Sequence, residues 1–115
     1  MWICLNDAFF SIVCIPDDPT KLKVRARFEG DIEEVFGSDV KVIKTPQRDY
    51  LYRSFIDRDT VASVLASRVK GIDYPNFKSS VLDDDKHDAY SNVWGAMWDA
   101  QSKAELQKFG GRRGR

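Results

Sequence analysis

The most regular alternation of polar and apolar residues in the chain lies between residues 21 and 28. Basic and apolar side chains alternate there without exception, in the order Lys21, Leu22, Lys23, Val24, Arg25, Ala26, Arg27, Phe28. Successive side chains of a strand point to opposite faces, so one face is apolar and the other is cationic. The pattern predicts a strand over residues 22–28 in an antiparallel sheet with one side in water.

Four further segments predict the neighbouring strands, namely residues 2–5, 8–15, 40–45 and 50–56, which are rich in β-branched and aromatic residues. Asn6-Asp7 predicts a two-residue hairpin turn that places Leu5 opposite Ala8 and Cys4 opposite Phe9. In the last strand one face carries four residues, which are Tyr50, Tyr52, Ser54 and Ile56.

Three helices are predicted from capping residues and helical periodicity. Asp31 and Glu34 resemble a capping box at the start of a short helix that ends at Gly37. Asp57 or Asp59 can cap the second helix, whose apolar stripe is Val61, Val64, Leu65, Arg68, Val69 and Ile72. The third helix starts near Asp83-Asp84-Asp85, and its predicted inward stripe is Tyr90, Val93, Trp94, Met97 and Gln101, with Trp98 on the border.

The predicted order is therefore β-β-β-α-β-β-α-α, which is an α+β fold. We expect a five-stranded, mostly antiparallel sheet with helices on one face, covered mainly by the second and third helices. The middle portion, β-α-β-β-α, is partly ferredoxin-like. Residues 1–102 form a single predicted domain, and residues 103–115, which end in glycines and arginines, form a predicted flexible basic tail.

Composition narrows the class of protein further. The 18 basic and 18 acidic residues cancel, whereas a dedicated DNA-binding module is usually basic and a DNA mimic acidic. No apolar run approaches the length of a bilayer span, and the N-terminus lacks the basic start of a signal peptide, so we expect no membrane and a cytoplasmic location. In the predicted hairpin Cys4 and Cys14 lie too far apart for a disulfide, and both are interpreted as small buried apolar residues.

Three spaced stretches carry a resemblance to known proteins. They are Met1-Trp2 with residues 8–13 (AFFSIV), residues 71–78 (GIDYPNFK), and residues 87–90 (HDAY) with Val93-Trp94 and Met97. Together they resemble a family of small uncharacterised bacterial and phage proteins over roughly residues 1–98. The resemblance implies a recurrent domain and supplies no catalytic residues.

The cationic strand face is the first candidate for binding. Its members are Lys21, Lys23, Arg25 and Arg27, which Arg53 of a later strand can join. Such a stripe can hold a phosphate backbone or an acidic protein surface. The alternative is an ordinary solvated face of an antiparallel sheet.

Two other segments have both a functional and a structural interpretation. The acidic segment 83–88, which includes His87, could bind a divalent metal, but consecutive helical residues diverge and carboxylates are also favoured at a helix start. In the loop 73–78, Tyr74 and Phe77 could recognise a partner or could fill a gap between helices.

The sequence contains no nucleophile with a base, no phosphate-binding glycine loop and no metal or cofactor motif. We therefore expect a non-enzymatic domain without cofactors that binds another macromolecule. A protein partner is the first hypothesis, and the phage resemblance makes an inhibitor of a CRISPR-like host defence complex its concrete form. The alternatives are a nucleic-acid-binding domain that uses the basic face and the tail, and a metal-dependent hydrolase or nuclease. The expected state is a monomer or weak homodimer.

Overall fold

The computed structural model describes residues 1–109 and has the predicted order of elements. The strands are β1 (Trp2–Cys4), β2 (Phe9–Ile15), β3 (Asp18–Ala26), β4 (Ile43–Lys44) and β5 (Tyr52–Asp57). The helices are α1 (Asp31–Phe36), α2 (Arg58–Lys70) and α3 (Asp84–Phe109), with a short 3-10 turn at Lys78–Ser80.

The five strands form one sheet in the order β1-β2-β3-β5-β4, and every neighbouring pair is antiparallel. The predicted α+β class and five-stranded sheet are therefore confirmed. Strand β5 lies between β3 and β4, as in a split β-α-β unit. The full ferredoxin-like topology is not confirmed, because the other side of β3 is occupied by β2, which precedes β3 in the chain.

The first hairpin has the predicted register. The Leu5 N–H donates to the Ala8 carbonyl over 2.8 Å, and Cys4 lies opposite Phe9. The prediction that Cys4 and Cys14 are buried is wrong, since both are free and exposed. Cys4 is on the outermost strand, and Cys14 adjoins a shift in strand register at the end of β2.

The core lies between the sheet and the helices α1 and α2. Its strands contribute Phe10 and Ile12 from β2, Val24 and Ala26 from β3, and Ile56 from β5; its helices contribute Ile32 and Val61. Val24 and Ala26 have no exposed surface, which confirms that the apolar side of the alternating strand faces inward. Burial of these side chains is the main stabilising contribution to the fold.

Helix α3 does not cover the sheet as predicted. Of its predicted inward stripe, Tyr90 is buried, and its hydroxyl donates to the carbonyls of Leu5 and Ala8 over 3.0 and 3.1 Å. Val93, Trp94 and Met97, as well as Trp98, are half exposed or more. Only the first turns of α3 therefore reach the end of the sheet, and α1 provides the cover that the sequence assigned to α3.

The remainder of α3 extends beyond the predicted end of the domain. The helix continues to Phe109, because the residues after Lys103 include strong helix formers, among them Ala104, Glu105 and Leu106. Residues 110–115 of the predicted tail lie outside the described residues. No helix within residues 1–109 is both long and apolar enough to cross a bilayer.

Asp31 has a different role from the predicted cap. The N-cap of α1 is Gly30, with φ of 91°, and no side chain caps the helix. The Asp31 carboxylate is buried, accepts the Phe9 N–H over 3.0 Å and pairs with the Lys86 ammonium over 3.0 Å. It therefore ties the start of α1 to β2 and to α3, and its desolvation raises the pKa of the carboxyl group.

Candidate functional site: the open sheet face

The sheet face opposite the helices is named here the open sheet face. One row of directly opposed residues crosses it through all five strands, in the order Trp2, Ser11, Arg25, Arg53, Ile43. A parallel row on the same face consists of Val13, Lys23 and Phe55. The face therefore combines cations with apolar side chains.

Three cations on this face have no carboxylate partner. Within residues 1–109, Lys23, Arg25 and Arg53 form no salt bridge. Lys21 differs, because its ammonium lies 3.2 Å from the carboxylate of the opposed Asp57. The structure thus brings most of the predicted cationic set together, and Lys21 is the member whose charge is locally balanced.

Arg25 is held in place by two contacts. Its Nη2 donates to the Ser11 hydroxyl over 2.7 Å, and its guanidinium lies 4.6 Å from the ring centre of Tyr50. Arg27 follows the strand and lies over the same ring at 4.1 Å, while its Nη1 donates to the Asp49 carbonyl over 2.8 Å. Cation–π contacts of this kind fix the position of a guanidinium without neutralising it.

The position of Tyr50 corrects a prediction. The alternation in 50–56 placed Tyr50 on the same face as Tyr52, Ser54 and Ile56, but β5 begins only at Tyr52. Tyr50 therefore does not follow the alternation of the strand, and its buried ring instead packs against Arg25 and Arg27. Ser54 and Ile56 do share one face, as predicted, and the structure shows that both are buried.

Arg25 and Arg53 both carry a buried donor that the fold leaves unpaired within residues 1–109. The two residues are directly opposed on β3 and β5, and the Nε atom of each is buried without a hydrogen-bond partner. Like charges directly opposed across strands destabilise a sheet, and a buried unpaired donor adds to that cost. Two guanidinium groups in this arrangement can bind carboxylate or phosphate oxygens through several parallel hydrogen bonds.

The predicted cationic face did not include the apolar residues that share it. Trp2 is 76% exposed and Phe55 is 42% exposed, and each is on the same face as the arginines. A signal for Phe55 existed, because in β5 it has the opposite phase to the buried Ser54 and Ile56. Exposed aromatic groups beside cations are typical of a contact surface.

Tyr74 and Phe77, predicted as binding residues, are not part of the open sheet face. Tyr74 lines a cavity with Ile3, a residue of the helix-covered face, and its ring centre is 6.0 Å from that of Phe77. Phe77 packs against Tyr90 of α3 at 5.5 Å. Both rings are half-buried, so their observed contacts are those of a packed connection.

The acidic segment 83–88 shows the contacts of a helix start. The Asp83 carboxylate accepts the Lys86 N–H over 2.9 Å, which is an N-terminal cap of α3. Within residues 1–109, no three His, Cys, Asp or Glu side chains converge as metal ligands would.

Desolvation raises the pKa of the Cys4 thiol, which favours its unreactive protonated form.

A scan against models of protein families and searches of curated proteins and of solved structures each found no match.

Proposed function

We propose that this protein is a non-enzymatic interaction domain that binds an acidic protein surface through its open sheet face. The observation that supports the proposal is the opposed pair Arg25 and Arg53, whose buried Nε donors have no hydrogen-bond partner among the described residues. Both arginines are only half-buried, so a carboxylate-bearing partner that contacts the exposed parts of their guanidinium groups would neutralise both charges. The pair is costly in the isolated domain and favourable in a complex of this kind.

The surroundings of the arginines favour a protein partner. Trp2, Phe55 and Ile43 provide exposed apolar surface next to the cations, and tryptophan and arginine are enriched among the residues that dominate protein–protein binding energy. The interface we propose has arginines at its centre, apolar anchors beside them, and Lys23 and Arg27 at its rim. Rim charges of this kind increase the association rate more than the final affinity.

Affinity capture from the native host tests this proposal when three baits are compared. The baits are the unchanged protein, the variant Arg53→Glu, and the control Lys70→Glu, which reverses an exposed charge on α2 far from the sheet face. We expect a host protein that the unchanged bait and the control retain and that Arg53→Glu loses. Equal retention by all three baits, or no retained protein, would contradict the proposal.

A second candidate function, binding of single-stranded nucleic acid, has one specific observation in its favour. Trp2 and Phe55 expose aromatic rings on the same face as Arg25 and Arg53. Single-stranded nucleic acids bind to such faces by stacking bases on aromatic rings while cations contact the phosphates.

Fluorescence anisotropy with labelled single-stranded RNA and DNA distinguishes this function from the first. Binding would weaken steeply as salt increases, and Phe55→Ala would reduce the binding free energy by about 1–3 kcal/mol. The matched control is Val69→Ala, an exposed apolar residue on α2. No salt-dependent binding at low ionic strength would exclude the second function.

The inhibitor of a host defence complex is a narrower form of the first proposal. It requires that the protein captured through the open sheet face be a subunit of such a complex, and a test of the complex with added protein would show reduced activity. We place this interaction in the cytoplasm, because the exposed free thiols of Cys4 and Cys14 suit a reducing compartment.

A further inference from the structure

The second half of α3 carries an apolar surface that the described part of the chain leaves largely uncovered; its one cation–π contact there is Lys78, whose ammonium lies 4.2 Å from the ring centre of Trp94. Val93, Trp94, Met97 and Trp98 expose 50, 53, 65 and 56% of their surface. At 100° per residue these side chains occupy one side of the helix. We name them the α3 stripe. The rings of Trp94 and Trp98 stack with their centres 5.6 Å apart, so the largest side chains of the stripe already form one continuous surface.

We propose that the α3 stripe binds the same stripe of a second copy of this chain, with the two helices antiparallel. This inference concerns a surface separate from the open sheet face and does not depend on the function proposed for that face.

The distribution of bulk along α3 favours a second copy as the partner. The large side chains lie toward the N-terminal part of the exposed region, and the same side of the helix continues with small ones, Ala100 and Ala104. An antiparallel two-fold arrangement that places Trp94 against Ala104 of the second copy also places Met97 against Gln101. By two-fold symmetry the contact of Trp94 with Ala104 occurs twice, once toward each end of the interface, as in any isologous interface.

The charges along α3 favour the same orientation. Its first turns are net negative, with Asp84, Asp85 and Asp88 against Lys86, whereas its last turns are net positive, with Lys103 and Lys108 against Glu105. In an antiparallel pair the basic end of one helix lies beside the acidic start of the other, and the attraction between them acts over about one Debye length, roughly 10 Å. A parallel pair would instead place like charges together.

The area of the stripe is compatible with a weak dimer. With about 250 Å² for a tryptophan side chain and less for valine and methionine, the exposed fractions correspond to about 500 Å² per protomer. Two protomers would bury about 1,000 Å², which is near the lower limit for a specific interface. We therefore expect a dissociation constant in the micromolar range.

Sedimentation equilibrium of the full chain over a range of about 5 to 500 µM tests the proposal. The average mass should rise from 13.2 kDa toward twice that value as concentration increases. Met97→Glu should keep the protein monomeric throughout. Asn92→Glu, which adds the same charge on the other side of α3, should leave the dimer unchanged.

Orientation is tested by electron–electron distances between spin labels. The label is attached through Lys108→Cys in a chain that also carries Cys4→Ser and Cys14→Ser. The antiparallel pair separates the two labels by about 30 Å, whereas a parallel pair brings them within about 10 Å. A mass that stays at 13.2 kDa at every concentration, a dimer that persists in Met97→Glu, or the short label distance would each overturn the proposal.

Discussion

Replacement of Lys86 by methionine removes the ammonium group that pairs with the buried carboxylate of Asp31. The two charged atoms are 3.0 Å apart, and the side chains of Lys86 and Asp31 are only 9% and 4% exposed. The ammonium also lies 4.5 Å from the ring centre of Phe28. Methionine keeps most of the volume and apolar character of the lysine stem, so the substitution removes mainly the charge.

The expected loss follows from the burial of the remaining carboxylate. Removing one partner of a buried ion pair typically costs about 3–5 kcal/mol, because the other charge stays desolvated and uncompensated. Asp31 keeps one hydrogen bond, from the Phe9 N–H, which offsets part of that cost. We expect the free energy of unfolding to fall by about 3 kcal/mol and the melting temperature to fall by about 10–20 °C.

The loss should also depend on pH in a defined direction. Burial raises the pKa of Asp31 above 3.8, and removal of the Lys86 charge raises this pKa further. A carboxyl whose folded pKa exceeds its unfolded pKa binds its proton more tightly in the folded state. As pH falls, protonation of Asp31 therefore stabilises the folded state of the variant relative to its unfolded state. The loss of stability caused by Lys86→Met should be largest near pH 7 and should shrink as pH falls toward 4.

Urea denaturation followed by far-UV circular dichroism measures both effects. The matched control is Lys70→Met, which removes an exposed ammonium from α2 and should change the free energy of unfolding by less than about 0.5 kcal/mol. The double variant Asp31→Asn/Lys86→Met should regain part of the loss, because an amide oxygen can still accept the Phe9 N–H. Equal stability of Lys86→Met and Lys70→Met, or a loss independent of pH, would refute this reasoning.

Three further substitutions test other parts of the fold by the same denaturation assay. Phe10→Ala should cost about 3–5 kcal/mol, because Phe10 is fully buried at the middle of the core. Gly37→Ala should cost about 1–3 kcal/mol, because Gly37 has φ of 98° and ψ of 157°, a region that only glycine adopts readily. Tyr90→Phe should cost about 1–3 kcal/mol, because the hydroxyl contacts to Leu5 and Ala8 are lost. Burial raises the pKa of Tyr90, so the phenol ionises more readily in the unfolded chain. The unchanged protein should therefore lose stability as pH rises above about 10, and the variant should lose less.

The features that the sequence predicted well depend on local pattern. The alternation around Val24 and Arg25 allows only one assignment of side chains to the two faces of the sheet, because a shift of one residue would place every cation in the core. The hairpin register that pairs Cys4 with Phe9 follows in the same way from a turn of fixed length. Short-range periodicity and turn chemistry therefore established the element order and the cationic face.

The features that the sequence did not predict depend on contacts between distant residues. The stripe containing Trp94 and Met97 shows that one side of α3 is apolar, but periodicity does not specify which surface covers it. The pairing of Asp31 with Lys86 joins residues far apart in the chain, so the local resemblance of Asp31 and Glu34 to a capping box was misleading. The roles of such residues depend on tertiary packing rather than on spacing.

The opposed pair Arg25 and Arg53 connects the fold to the proposed function. No carboxylate within residues 1–109 neutralises either guanidinium by a salt bridge, although Arg25 is fixed by Ser11 and Tyr50. The two guanidinium groups destabilise the isolated sheet, and an acidic partner would neutralise them. Replacement of one of these arginines should therefore maintain or raise the stability of the domain while it weakens binding of the partner. This relation separates a binding surface from an ordinary solvated face.

Arg53→Glu tests that relation most directly, because it places a carboxylate opposite Arg25 without removing the contacts of Arg25. The measurement is the free energy of unfolding of this variant together with its retention of the host partner. We predict that stability stays equal or rises by about 0.2–1 kcal/mol while partner retention is lost. A variant that unfolds more readily yet still retains the partner would contradict the assignment of the open sheet face as the binding surface.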